Sequence, residues 1–409
     1  MFGYGISKYD LKTINRMQIM RTIWECGPIS RSDIADELCI TRAAITVITN
    51  EMIEKGLLKE VAEKKADHIG PVSKGRRKVL LELNADSCFM IGIYIDSHNL
   101  SVGMTTLSGD VLEKYNNSIE PDIAYDRIVV MVETAVSTIL SHSCLDTKQI
   151  MGVGIGIMPD MPDFIRLSIE NDPKYFYNMQ NKFTQQWGLP VFIGNALSQF
   201  AVVYSSRREF SGMSSVSGLI YSDDDNFFIS YVAKRPRCRE QYDTTTGLNY
   251  MCIKPGGYEE EGYPGGTVKA ELTPRAIGRK VSGIFSESGT PALYKLTGGD
   301  CSKVTLSQIS EAVKSGDKAL GEFRDELFND MCLFMNNVVS VIGAHRMYFY
   351  KSGFTEELLR ELIEYGGRKY QKLNEVKFSI CDISDEQRFL CGSGYAVFMS
   401  AFGLSNKTS

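Results

Sequence analysis

Residues 28–58, PISRSDIADELCITRAAITVITNEMIEKGLL, leave few folds open. Two short helical patterns flank a tight joint. Ser30 suits an N-cap, because its hydroxyl can accept from a free backbone N–H of the first turn. Asp33 adds a negative charge near that helix's positive end. Ile34, Ala35 and Leu38 then supply an apolar face at helical spacing. Cys39-Ile40 makes the joint. Thr41 can cap a second helix whose apolar residues are Ile45, Ile48, Met52 and Ile53, and Gly56 ends it, since glycine accepts the positive φ needed to leave a helix. Two helices so joined are the pattern of a helix-turn-helix, whose second helix lies in the DNA major groove.

The exposed start of that second helix carries the chemistry. Thr41, Arg42, Ala43, Ala44 and Thr46 crowd it, with Ser30 and Arg31 at the start of the helix before. Small residues and hydroxyls permit close approach, a methyl can meet a thymine methyl, and Arg42 can read guanine or grip phosphate. On this stretch alone, an ordinary helical hairpin with polar caps reads the same way.

The flanking sequence separates the two readings. Asp10 to Cys26 predicts a preceding helix, stopped by Gly27-Pro28. Leu57–Val61 and Val79–Leu83 predict two short strands. Between them runs KKADHIGPVSKGRRK, whose Lys74, Gly75, Arg76 and Arg77 would form a basic wing tip, able to follow phosphates or enter the minor groove. Helix, helix-turn-helix and basic hairpin in this order predict a winged DNA-binding head over residues 1–84. Charge agrees with this in a small way: residues 1–84 hold 14 Lys/Arg against 11 Asp/Glu, whereas the whole chain has a net charge of −5.

Residues 85–409 read as an α/β body. FMIGIYIDSHNLSVGMTTLSGDVLEKY predicts a run of strands, 126–140 a helix, and MGVGIGI a buried strand whose glycines signify close packing more readily than nucleotide binding. LIYS and FFISYVA add strands, 273–289 and 305–342 are helical by pattern, HRMYFYKSG is a strand, and Asp385–Phe402 a last helix. The Met- and Phe-rich stretch within 305–342 reads as core or subunit interface. No internal repeat is visible. The ten cysteines stand singly, with no CxxC spacing, which argues against a zinc ribbon or redox pair. No apolar run approaches a membrane span and no secretory signal opens the chain, so the expectation is a cytoplasmic protein without membrane contact.

The head segment SRSDIADELCITRAAITVITNEMIEKGLLKE followed by GRRKVLLELN resembles the ROK family, which joins bacterial sugar-responsive repressors to sugar kinases. The resemblance implies an N-terminal winged helix-turn-helix followed by an actin-like (ribonuclease-H-like) two-lobed α/β body. It covers nearly the whole chain and weakens along the body. In the family's kinases an Asp- and Gly-rich hairpin wraps ATP phosphates; here the loop is Asp96-Ser97-His98-Asn99-Leu100, without glycine. By the resemblance, Asn171 and Asn195 fall at sugar-contacting positions, though both residues serve equally well as turn formers. The catalytic aspartate that should follow Asn195 is Ala196, which cannot take a proton. Gly247 and Tyr250 stand where the family has a sugar-holding Glu and His. No cysteine lies between Cys252 and Cys301, so the family's zinc cluster lacks ligands and the loop is expected to be held by its Pro and Gly turns.

The resemblance therefore implies a DNA-binding transcriptional regulator, in particular a repressor, rather than an enzyme, with no metal or other cofactor. Its expected partners are a double-stranded DNA operator, a second copy of itself (homodimer or tetramer) and a small-molecule effector contacted by Asn171, Asn195 and Tyr250. That effector is a sugar or derivative, or a less polar molecule or a protein in its place. A body that only oligomerises, leaving DNA binding constitutive, stays open as the alternative, and a sugar kinase with an N-terminal extension is the less favoured one.

Overall fold

The computed structural model describes residues 15–16, 18–20, 22–23, 26–62, 79–84, 89–106, 110–120, 123–143, 145, 149–161, 173–205, 215–223, 225–234, 241–245 and 247–381. The wing tip 74–77, Asn171 and the helix expected over 385–402 lie outside them. The described residues up to 205 form one compact unit and those from 215 onward a second.

The first unit opens with the head. Described residues between 15 and 26 are helical, and Ile29–Ser30 (β1) leads into Arg31–Leu38 (α1) and Arg42–Glu54 (α2). Leu58–Ala62 (β2) and Val79–Leu83 (β3) follow, and β1 joins them in a three-stranded sheet of order β1-β3-β2. The two-residue β1 is too short to leave a period in the sequence. Ile19, Met20, Ile23, Ile34, Ala35, Ile45, Ile48, Met52, Leu58 and Leu81 are the buried core of this head. Both caps form as the sequence implies: Ser30 Oγ accepts from Asp33 N and Thr41 Oγ1 from Ala44 N. Gly56 turns at φ +72°.

Cys39 ends α1 at φ 53°, in the left-handed region, with its side chain exposed. A non-glycine residue there costs about 1–2 kcal/mol, partly offset by the backbone freedom glycine would lose. Cys39→Gly is accordingly expected to stabilise the head by about 1 kcal/mol, seen as a raised melting temperature. An unchanged or lowered one would mean that the Cys39 side chain contributes more than its exposure suggests.

The rest of the first unit is a sheet of Phe89–Ile95 (β4), Asn99–Thr106 (β5), Val111–Ser118 (β6), Ile150–Ile157 (β7) and Val191–Asn195 (β8), with helices Tyr125–His142 (α3), Pro173–Trp187 (α4) and Ala196–Ser205 (α5). Strand order is β6-β5-β4-β7-β8, with β4, β7 and β8 parallel. The β7 glycines are explained by packing. A Cβ on Gly156 would meet Gln199 Oε1 at 2.3 Å, because buried Gln199 lies against the strand and donates to Ile155 O at 2.8 Å.

The second unit repeats this layout. Ser215–Ser222 (β9), Phe227–Lys234 (β10), Gln241–Thr245 (β11), Arg346–Tyr350 (β12) and Lys377–Ile380 (β13) stand in the order β11-β10-β9-β12-β13, with β9, β12 and β13 parallel. The two sheets share one order although no internal repeat is visible in the sequence. The repeat is in topology, which needs only similar strand patterns rather than similar residues. Helices Val268–Leu272 (α6), Pro274–Val281 (α7), Pro291–Thr297 (α8), Leu306–Lys314 (α9), Gly321–Ile342 (α10) and Glu356–Gly366 (α11) complete the unit. The helices expected over 273–289 and 305–342 are thus broken. The first stops at Val281, and the second is interrupted around Gly316, whose φ of +112° no helix accommodates. Among the described residues no helix is long and apolar enough to cross a membrane.

Candidate nucleic-acid interface and effector residues

The head holds α2 in place and leaves one of its faces open. Ile45, Ile48, Thr49 and Met52 are buried, whereas Thr41, Arg42, Ala43, Thr46, Val47 and Asn50 are exposed and Ala44 half-buried. Positions 42, 43, 46, 47 and 50 follow helical spacing and share one side. Thr46 Oγ1 donates to Arg42 O at 2.8 Å, so its hydroxyl is turned along the helix. Val47 and Asn50 belong to the open face and were not singled out from the sequence. Counting four and eight residues on from Ala43 and Arg42 would have found them.

Ser30 and Arg31, which the sequence groups with the DNA contacts, have engagements inside the head. Ser30 is buried, and its hydroxyl lies 2.7 Å from Asp33 Oδ2 besides capping α1. Arg31 donates from Nε to Thr49 Oγ1 and from Nη2 to Asn50 Oδ1, each at 3.0 Å, and its Nη2 lies 2.8 Å from Glu60 Oε1. One guanidinium thus ties α1 to both α2 and β2. Arg16 pairs with Glu51 on the other flank of α2.

In the two sheets, the hairpins after β4 and β9 are closed by the same four-residue device. Asp96 Oδ1 accepts from His98 N at 2.9 Å and Asn99 N at 2.7 Å. Asp223 Oδ1 accepts from Asp225 N at 2.8 Å and Asn226 N at 2.6 Å. Backbone amides at such a turn are the groups that could receive a phosphate. Here a carboxylate of the same loop occupies them in both hairpins, adding negative charge where a nucleotide would bring more. Burial raises the Asp223 carboxyl above the ordinary carboxylate range, against the lowering effect of those amides.

Of the effector residues expected from the sequence, two are described, one in each unit. Asn195 ends β8 and its Oδ1 accepts from Leu197 N at 2.9 Å, capping α5. This is the turn-forming role that the sequence left open beside sugar contact. Ala196 is buried at the start of α5. In the second unit, Gly247–Tyr250 is a 3-10 turn clamped by buried Asn249, which bonds both Phe227 N and Phe227 O. Tyr250 is 58% exposed and its ring stacks on Tyr263 at 4.4 Å between centroids. Lys269 Nζ lies 5.0 Å from the Tyr263 ring centre and donates to Asn226 Oδ1.

Comparison with known proteins agrees with this geometry. A MarR family model matches residues 12–62, the first helix through β2. The xylose repressor of Caldicellulosiruptor bescii is 28% identical over 230 residues, which are 52% of this chain and 51% of that protein. The chain thus spans about half the length of the curated relatives it matches. A solved ROK family transcriptional regulator, described as a homologue of the Escherichia coli MLC protein, superposes with a TM-score of 0.70. It is 18% identical and covers 96% of this chain and 98% of its own. A ROK hexokinase from Thermus thermophilus superposes with a TM-score of 0.52 and 16% identity, covering 75% of this chain and 97% of that one. The fold is a winged helix-turn-helix joined to an actin-like α/β body, as the sequence led one to expect.

Proposed function

We propose that this chain, with the layout of a ROK-family transcriptional regulator, binds a double-stranded operator in the cytoplasm and represses transcription there, under control of a sugar or sugar derivative. Residues 1–84 are the DNA-binding part. The contacts come from Thr41, Arg42, Ala43, Ala44 and Thr46, and from the wing residues Lys74, Gly75, Arg76 and Arg77, with Ser30 and Arg31 fixing the helix they start from. Residues 85–409 carry the effector site and the contacts between copies. A dimer would bring two α2 helices to half-sites about one helical turn apart or a multiple of it. The single observation that carries the reading is the open face of α2, small, hydroxylated and basic, on a helix whose opposite side is locked into the head core.

Phosphoryl transfer is not part of this reading. The position expected to hold a catalytic base is the buried methyl of Ala196, and the amides of both hairpins are taken by Asp96 and Asp223. A sugar ring could lay its apolar face on the exposed Tyr250, near Lys269 and Asn226. The repressor named for xylose among the relatives supports a carbohydrate as the first class to try.

The test is an operator titration with a duplex selected by the protein from a random pool. Affinity is expected to fall steeply as salt rises, since each phosphate contact releases counterions. Arg42→Ala is expected to weaken binding by about 1–3 kcal/mol. A sugar that raises the melting temperature should change the affinity as well. Failure to select any duplex, or an Arg42→Ala protein that binds as the parent does, would overturn the placement of α2.

A further inference from the structure

Val47 is the exposed large apolar residue of the recognition helix, at 58% of its full exposure. It follows Ala43 by one helical turn and stands beside Thr46 on the open face. A branched apolar side chain so exposed contributes nothing to the head core, which Ile45, Ile48 and Met52 fill from the other side. In a major groove, the one apolar feature that distinguishes base pairs is the thymine methyl. Three residues on, Asn50 has its carbonyl oxygen committed to Arg31 Nη2. Arginine only donates, so the Asn50 oxygen must face it and the NH2 group must face away. From that NH2 group Asn50 can donate to thymine O4, to guanine O6 or N7, to adenine N7, or to a phosphate.

We infer that Val47 is a specificity residue that reads a thymine methyl, with Asn50, oriented by Arg31, donating to an acceptor edge of an adjoining base. This rests on the DNA-binding reading above. It adds to that reading a prediction about which base the middle of α2 selects.

The experiment uses the full-length protein and the duplex it selects from a random pool. Each thymine in the selected site is replaced by uracil, which removes only the methyl group. For the parent protein, one thymine per half-site is expected at which this weakens binding about fourfold, the worth of one buried methyl. Val47→Ala should bind the thymine and uracil duplexes equally, and in a fresh selection should lose the preference for that base. Asn50→Ala should keep the uracil sensitivity and relax an adjoining position. Unchanged circular dichroism is expected for both variants and unchanged melting for Val47→Ala, whereas Asn50→Ala gives up one of the bonds from Arg31 and should melt slightly lower. If the parent selects a clear site but no thymine is sensitive, or the sensitivity survives undiminished in Val47→Ala, the assignment of Val47 falls and the DNA-binding reading stands. If the parent selects no site, both fall.

Discussion

Lys280→Met is expected to destabilise the second unit by about 3–5 kcal/mol. Lys280 Nζ lies 2.7 Å from Glu271 Oε2, and the two side chains are 3% and 0% exposed. The same ammonium lies over the Tyr258 ring at 5.5 Å, and Glu271 Oε1 accepts from Tyr258 N at 2.6 Å. Removing the cation leaves a carboxylate buried, still bonded to one amide but with its charge uncompensated, which is the costly way to break such a pair. Removing both charges, as Lys280→Met with Glu271→Met, should restore a good part of the loss, though the Tyr258 amide would then lack its acceptor. Melting followed by circular dichroism, with hydrogen exchange over residues 252–267, measures it. A loss below about 1 kcal/mol would show that solvent reaches the pair. The melting temperature of the parent is expected to be indifferent to a chelator, since among the described residues no group of three or more His, Cys, Asp or Glu could hold a metal ion.

Gly266→Ala is expected to be comparably damaging, for a different reason. Gly266 has φ +75°, and a Cβ there would stand 1.6 Å from Lys254 O and 2.5 Å from the carbon of the same carbonyl. Gly266 O accepts from both Ile253 N and Lys254 N, while Gly266 N donates to Tyr258 O at 2.8 Å. The two backbones are thus stitched together at the point where the methyl would go, and no side chain can give way. Gly256 provides the control, because it has φ +77° and nothing within 4 Å of its would-be Cβ. Gly256→Ala should cost only the left-handed penalty of about 1–2 kcal/mol, whereas Gly266→Ala should cost upward of about 4 kcal/mol, the range reserved for forced clashes and lost networks. Equal losses in the two variants would mean that the loop can part at Gly266 without consequence.

Both predictions concern a loop for which the sequence offered only its glycines and prolines. The turns are there, but a buried ion pair between residues nine apart in the chain also fastens them. Nothing in the order Glu-Leu-Thr-Pro-Arg-Ala-Ile-Gly-Arg-Lys signals that two of its charges are inside. Partner and burial are properties of the packed α6 and α7, not of composition. Arg31 makes the same point in the head. As a basic residue at the start of a helix-turn-helix it reads as a DNA contact, and the fold adds Thr49, Asn50 and Glu60 as partners that no local pattern announces.

What the sequence determined by itself was whatever depends on neighbours within a few residues. The caps at Ser30 and Thr41, the turn at Gly56, the apolar side of α2 and the strands at 79–83 and 150–157 follow from local hydrogen bonding and from periods of 3.6 and 2, and those were legible. The head's identity was legible for the same reason, since a helix-turn-helix is a local object. The tertiary structure alone decided what depends on residues far apart in sequence. It paired the two-residue β1 with β3, gave two dissimilar stretches of chain the same sheet order, and set Gln199 against Gly156. It also brought Arg31 against Thr49, Asn50 and Glu60. A side chain's environment is the sum of contacts brought in by the whole chain, and no window along the sequence contains them.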